Sequence, residues 1–161
     1  MIKRLLQTDV SGLCDQARAA PRRRAHKNFH PSFDDSVQRL LMAMEPDSYV
    51  RPHRHNGTDC WEFVLVISGA AVLLVFDGAG AVRERVELQA GGEVLGYELA
   101  PGEWHTLAAL VPATVVFEFK PGPYSPVTDK DFAVWAPAEG EIECAEILAW
   151  YRRAQVGERL T

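Results

Sequence analysis

Three histidines and one glutamate occupy positions from which they could bind a metal ion. His53 and His55 are two residues apart, so in an extended segment both imidazoles project from the same face. Glu62 begins a very apolar run, in which an inward-facing carboxylate needs a partner. His105 follows a Pro-Gly turn and begins another extended run, which could bring a third imidazole to the same place. The sequence therefore predicts a metal site formed by these four residues.

Imidazole nitrogens and a carboxylate suit one divalent transition metal ion, such as zinc, iron, nickel or manganese, and can leave positions open for water or a ligand. The alternative is a surface His-x-His pair and a histidine at a barrel rim. The metal is favoured because all four groups fall at strand starts beside turns. Cys60, two residues before Glu62, could share its face and is the alternative fourth ligand.

These residues lie in a region with the character of an all-β domain. Between residues 33 and 120, short runs of Val, Leu, Ile and Phe are separated by Gly, Pro, Asp and Asn. The glycines at 78 and 80 favour a hairpin turn. Eight strands would form two Greek keys, that is, a jelly-roll β-barrel. The predicted strands are 37–44, 49–55, 62–68, 71–76, 83–88, 94–99, 105–109 and 114–119.

The barrel is predicted to carry additions at both ends, residues 1–32 and 121–161, within a single domain. A short helix is expected in the first twenty residues, with Ser11 as its N-cap. The basic run 22–27 is interpreted as a solvated turn, with a phosphate contact as the alternative. A Pro-rich extended passage follows residue 122, and a second helix, 141–155, is expected to pack outside the barrel.

Composition limits the class of partner and the compartment. The 161 residues carry 22 acidic and 17 basic side chains, a net charge of -5, which argues against a nucleic-acid-binding protein and favours small molecules or proteins as partners. Three cysteines are too few for a disulfide framework and indicate a reducing compartment. No stretch approaches the ~18 apolar residues of a membrane span, so we expect a cytoplasmic protein.

Two short motifs resemble those of the cupin superfamily. The first comprises His53, His55, Glu62 and Gly69, and the second comprises Pro101, Gly102 and His105. The resemblance implies a jelly-roll β-barrel whose metal ligands are the same three histidines and Glu62. Six residues separate His55 from Glu62, where the family more often has three or four, and Ala109 replaces the Asn that often ends the second motif.

Much of the chain also resembles a narrower group, the WbuC-type cupin-fold metalloproteins. That group is associated with biosynthesis of polysaccharide of the O-antigen type, which implies a sugar or nucleotide-sugar as the ligand. The segments that carry the resemblance are 24–30, 49–55, 104–107, 120–124, 129–133 and 135–137.

A metal with an open position can act as a Lewis acid on a hydroxyl or carbonyl oxygen, as in sugar isomerisation or epimerisation. Glu118, on an apolar strand, is the first candidate for a general acid or base, and Tyr124 is the second. Arg51, Lys120 and His30 are candidate substrate-binding residues.

Two other functions stay open. The same ligands could support an iron-dependent dioxygenase, or the barrel could be a non-catalytic sugar- or effector-binding module. An enzyme should place titratable groups within reach of the metal, whereas a binding module should not. His26 and His30 are interpreted as part of a surface turn, with a ligand pocket as the alternative. A homodimer is expected, because open strand edges need to be covered.

Overall fold

The computed structural model describes residues 2–126, 128 and 131–160. No helix in these ranges is long and apolar enough to cross a membrane. The described residues form two helices and eight strands, in the order α1 (Gln7–Ala19), β1 (Arg24–Asn28), β2 (Val37–Met44), β3 (Glu62–Ser68), β4 (Ala70–Phe76), β5 (Val82–Gln89), β6 (Gly96–Leu99), β7 (Trp104–Ala109), β8 (Thr114–Pro121) and α2 (Cys144–Tyr151).

The strands form two antiparallel sheets, and the main core lies between them. The larger sheet has the order β1-β2-β8-β3-β6 and the smaller one the order β5-β4-β7. Alternate residues of β2, β3, β4 and β7 point into this core, as the period of two requires. Met44, Val64 and Val116 come from the larger sheet, and Leu73 and Leu107 from the smaller. The predicted all-β fold of the jelly-roll type is therefore confirmed.

Each helix covers the outer face of one sheet. Leu13 and Ala17 of α1 pack on Leu41 of β2, a residue that alternates with the inward-facing positions of its strand. On the other side, α2 packs through Tyr151 against β4, where Leu74 is fully buried. The expectation that the second helix packs outside the barrel is confirmed.

Most strand predictions are correct to within two residues at each end, and the turn at 77–80 does join β4 to β5 as a hairpin. Both helices begin elsewhere than predicted. Helix α1 begins at Gln7 and not after Ser11, because the Asp9 carboxylate accepts the backbone N–H of Leu6 at 2.9 Å. Helix α2 is shorter than the predicted 141–155. Of the Pro-rich passage, residues 127, 129 and 130 lie outside the described ones.

The interpretation of residues 22–27 as a solvated turn is wrong. Residues 24–28 form β1, which pairs antiparallel with β2 at the edge of the larger sheet. The larger sheet thus includes a strand that precedes residue 33, the residue at which the predicted β region starts. The strand was missed because β1 contains a single apolar residue, Ala25, and its other side chains are polar or charged.

The prediction of a strand over 49–55 is also wrong. Only His53 forms a β-bridge there, with its N–H and C=O bonded to His105 at 3.0 and 2.9 Å. Pro52 has no N–H to donate, which limits the pairing of this segment. Thr106 Oγ1 donates to the Val50 carbonyl at 2.7 Å, and the Arg54 N–H donates to the Asp131 carbonyl at 3.0 Å. The segment is therefore a loop that hydrogen bonds tie to β7.

The Thr106 hydrogen bond gives a test of this attachment. Thr106 is fully buried, so Thr106→Val removes the donor and leaves the Val50 carbonyl without it. We expect the free energy of unfolding to fall by about 1–3 kcal/mol in urea titrations. The matched control is Thr58→Val, because Thr58 is exposed, and it should change stability by less than about 0.5 kcal/mol. Equal stability of the two variants would contradict the attachment.

Candidate metal centre and ligand cavity

Three imidazoles meet where the 49–55 loop crosses the start of β7. The loop carries His53 and His55, and its bridge to β7 places them beside His105. One ligand nitrogen of each ring lies within 4.8 Å of the corresponding nitrogens of the other two. That spacing is compatible with a single ion bound between them.

Backbone carbonyls orient two of the three rings. His53 Nδ1 lies 3.0 Å from the Arg51 carbonyl oxygen, and His105 Nδ1 lies 2.9 Å from that of Glu103. A carbonyl can only accept, so each Nδ1 carries the proton and each Nε2 presents a lone pair. His105 Nε2 is buried and has no hydrogen-bond partner among the described residues. A metal ion would satisfy this atom.

Burial keeps His53 and His105 neutral. It is the main cause that lowers the pKa of His53 to about 3, with further lowering from neighbouring His105 and His55. Burial likewise lowers the pKa of His105. Metal ligation requires the unprotonated ring, so these two histidines are ready to bind an ion at neutral pH.

Glu62 lies beside two of the imidazoles at the start of β3. Its Oε2 is 2.9 Å from His55 Nε2, and its Oε1 is 3.7 Å from His105 Nε2. The Tyr97 hydroxyl donates to Oε1 at 3.4 Å. Burial alone would raise the pKa of Glu62, but the His55 hydrogen bond and the charge of Lys120 outweigh it and lower that pKa. A buried, ionised carboxylate here makes the centre attractive to a cation.

The ligand role of Glu62 stays a prediction, because the cluster that meets the mutual 4.8 Å spacing contains the three histidines alone. Cys60, the alternative fourth ligand, also stays open. It lines the same cavity as the histidines, and its thiol donates to the Asn56 carbonyl at 3.6 Å.

The histidine cluster faces a cavity of about 610 Å³ that reaches the surface. Glu118 of β8 lies in its wall, opposite Leu40 of β2 and Val64 of β3, and is 7% exposed. Lys120 Nζ is 2.6 Å from Glu118 Oε1. Burial and the charge of Glu62 raise the pKa of Glu118, and Lys120 partly offsets them. Glu118 thus has the raised pKa that suits an acid–base group.

The remaining candidate residues line the same cavity. Arg51 donates from Nη2 to the Ala133 carbonyl at 2.9 Å and lies over the Phe132 ring. His30 is buried, so it is not part of a surface turn. Tyr124 is 45% exposed at the mouth, with its ring 5.1 Å from that of Phe33. The structure brings these residues to one cavity, and their roles stay predictions.

Sequence reasoning missed Tyr97 and the cavity face of β1. Tyr97 lies opposite Val64 on neighbouring strands, which places it near Glu62, and no local pattern in the sequence shows this pairing. For β1 a signal was available. Arg24, His26 and Asn28 alternate with other residues at the period of a strand, and all three line the cavity.

Comparison with known proteins identifies a family and a fold. The family described as "Domain of unknown function (DUF6016)" matches residues 5–88. No curated protein matches the chain. Oxalate oxidase in complex with the substrate analogue glycolate is 12% identical over 73% of this chain and 58% of its own, with a TM-score of 0.54. The chain thus spans little more than half the length of that protein.

Two further solved structures are similar. The conserved SPY1581 protein of unknown function from Streptococcus pyogenes is 10% identical over 78% of this chain and 92% of its own, with a TM-score of 0.51. A cupin-2 domain containing protein from Shewanella frigidimarina is 19% identical over 61% of this chain and 80% of its own, with a TM-score of 0.46. At such identities a likeness shows the fold alone, and the two structures with TM-scores above 0.5 agree with the predicted jelly-roll fold.

The histidine cluster predicts the metal-binding behaviour of single variants. Wild-type protein without a His-tag should bind about one zinc or cobalt(II) ion per chain in a competition titration with a chromophoric chelator. His105→Ala should weaken binding at least about 100-fold, because a whole ligand is lost, and Glu62→Gln by about 10–100-fold. His26→Ala is the control, since His26 lines the cavity outside the cluster. Equal affinities of His105→Ala and His26→Ala would contradict the site.

Proposed function

The chain belongs to the family described as "Domain of unknown function (DUF6016)", and we propose that it is a WbuC-type metal-binding cupin. In this proposal it acts on a sugar or nucleotide-sugar in biosynthesis of polysaccharide of the O-antigen type. The single observation that carries the proposal is the cluster of His53, His55 and His105 at the wall of a cavity that also contains the buried carboxylate of Glu118.

The donor set fits a divalent transition metal ion. His53 and His105 are neutral, and each has its Nδ1 hydrogen-bonded to a backbone carbonyl. The Nε2 of His105 is buried and has no hydrogen-bond partner among the described residues. Glu62 adds a negative charge beside the imidazoles. When bound, such a metal supplies Lewis-acid chemistry at a hydroxyl or carbonyl oxygen.

Glu118 provides the proton-transfer group in this proposal. Its carboxylate is buried, its pKa is raised, and Lys120 lies beside it, so it can exchange a proton with a ligand in the cavity. A titratable group in this place favours an enzyme over a binding module. Tyr124, at the cavity mouth, is the second candidate, and Arg51, His30 and Lys120 bind the substrate.

A proton-exchange experiment tests the reaction class. Metal-loaded protein is incubated with nucleotide-sugars and free hexoses in D₂O, and deuterium incorporation at carbon is followed by NMR. We expect wild type to exchange one C–H, and Glu118→Gln to slow exchange about 10²–10⁴-fold with unchanged metal content. Glu98→Gln is the control, because Glu98 is exposed on β6.

Three outcomes separate the candidate functions. Exchange lost only in Glu118→Gln supports the proposal. Tight sugar binding without exchange identifies a binding module and contradicts catalysis. Consumption of oxygen by iron-loaded protein identifies a dioxygenase instead, since three histidines with a carboxylate also suit iron.

The protein is further proposed to be a cytoplasmic homodimer. All three cysteines are free, in keeping with a reducing compartment. Within the described ranges, β1 pairs with β2 alone and leaves its other edge open. A second copy would cover such an edge. Light scattering at micromolar concentration should give twice the 17.9 kDa chain mass. A monomer mass there would contradict the dimer.

A further inference from the structure

The cavity is positively charged although the chain is acidic. The whole chain has a net charge of -5. Within the described residues, the cavity wall contains four carboxylates against five cationic side chains, before any metal ion is added. The cations are Arg22, Arg24, Arg51, Arg54 and Lys120, and the carboxylates are Glu62, Glu118, Asp131 and Glu139. Such a reversal of sign in a cleft attracts anionic ligands.

One face of β1 supplies polar groups to this cavity. In the antiparallel register, His26 lies opposite Met42 and Asn28 opposite Leu40, and both partners belong to the core between the sheets. Residues directly opposite share a face, so His26 and Asn28 face inward. Lys27 lies opposite Leu41, which packs under α1, so it faces outward, where it forms an ion pair with Asp9.

Positive charge is in excess beside this face. Arg22 and Arg24 share a single carboxylate, that of Glu139. Partial burial, followed by the charges of Arg24, Arg22 and Lys120, lowers the pKa of His26 to about 4, although the ring is exposed to the open cavity. The positive charges of three side chains, Arg24, Arg22 and Lys120, therefore all act on the His26 ring. The Asn28 amide makes no hydrogen bond to any part of the chain that the structure describes, so its N–H donors are free.

His30 adds an unpartnered ring nitrogen beyond the end of the strand. His30 Nδ1 lies 3.0 Å from the backbone nitrogen of Arg39 and 3.0 Å from its carbonyl oxygen. His30 Nε2 is buried, and in the described ranges it has no hydrogen-bond partner. The cavity thus has a ligating group at the metal centre and polar groups along β1 and just beyond its end.

We propose that the β1 face is an anion subsite that binds a phosphoryl group of the substrate. His26 and Asn28 contact the phosphoryl oxygens, and Arg24 and Lys120 supply the surrounding charge. Several adjacent cations and N–H donors suit a multiply charged phosphate better than a neutral sugar. The inference rests on the proposed function and narrows its substrate to a phosphorylated sugar or nucleotide-sugar whose other end reaches the metal centre.

The test uses inorganic pyrophosphate and measures its affinity by calorimetry, with both metal-loaded and chelator-treated full-length protein. Asn28→Asp places a negative charge on the β1 face. It should weaken pyrophosphate binding at least about tenfold in both the metal-loaded and the chelator-treated protein. His26→Glu places a negative charge at a second position of the β1 face and should weaken pyrophosphate binding by a similar factor. Lys27→Gln changes the net charge by the same amount as Asn28→Asp on the opposite face of the strand and should leave the affinity within about twofold. Thermal unfolding confirms that the variants fold.

Each outcome either supports or overturns the subsite. Binding to metal-free protein that both inward-facing variants weaken and Lys27→Gln does not supports it. Absence of pyrophosphate binding to metal-free protein overturns it. An equal loss of affinity in Asn28→Asp and Lys27→Gln also overturns it. Because the subsite is measured without metal, its failure is distinct from failure of the proposed function, which would appear as loss of metal binding or of proton exchange in wild type.

Discussion

The pair of backbone hydrogen bonds between His53 and His105 is the interaction on which the site depends. It joins a loop that has little regular pairing of its own to a strand of the smaller sheet. His53 and His55 reach the third histidine only because this bridge sets the position of the loop. Thr106 and Asp131 add hydrogen bonds on either side of it. Small displacements of the loop would separate ligands that must lie within a few ångströms of one ion.

Burial has opposite effects on the acid and the bases of the centre. It disfavours the charged form of every group, so His53 and His105 stay neutral with free lone pairs. Glu62 stays ionised despite burial, because His55 and the nearby positive charges stabilise its carboxylate. Glu118, farther along the wall, has Lys120 as its partner and keeps a raised pKa. The pKa values of two buried carboxylates of one cavity thus shift in opposite directions because their neighbours differ.

The sequence predicted those parts of the molecule that depend on local patterns. Short apolar runs separated by turn residues indicated β2 and β3, and the spacing of His53 and His55 indicated a shared direction. Three features could not be read in this way. Segment 49–55 looks like a strand, but Pro52 and the contacts to β7 and Asp131 make it a loop. Strand β1 lacks an apolar face, because its inward side faces a polar cavity. Tyr97 meets Glu62 through the register of β6 on β3, which is a long-range property.

X-ray absorption spectroscopy of the metal-loaded protein tests the central claim most directly, because it reports the atoms bound to the ion itself. With zinc bound, we expect a first shell of nitrogen and oxygen at about 2.0–2.2 Å, with the multiple scattering of three imidazoles. The imidazole signal should fall by one ring in His105→Ala. A shell of oxygen alone, or an imidazole signal that His105→Ala leaves unchanged, would contradict a metal centre formed by His53, His55 and His105.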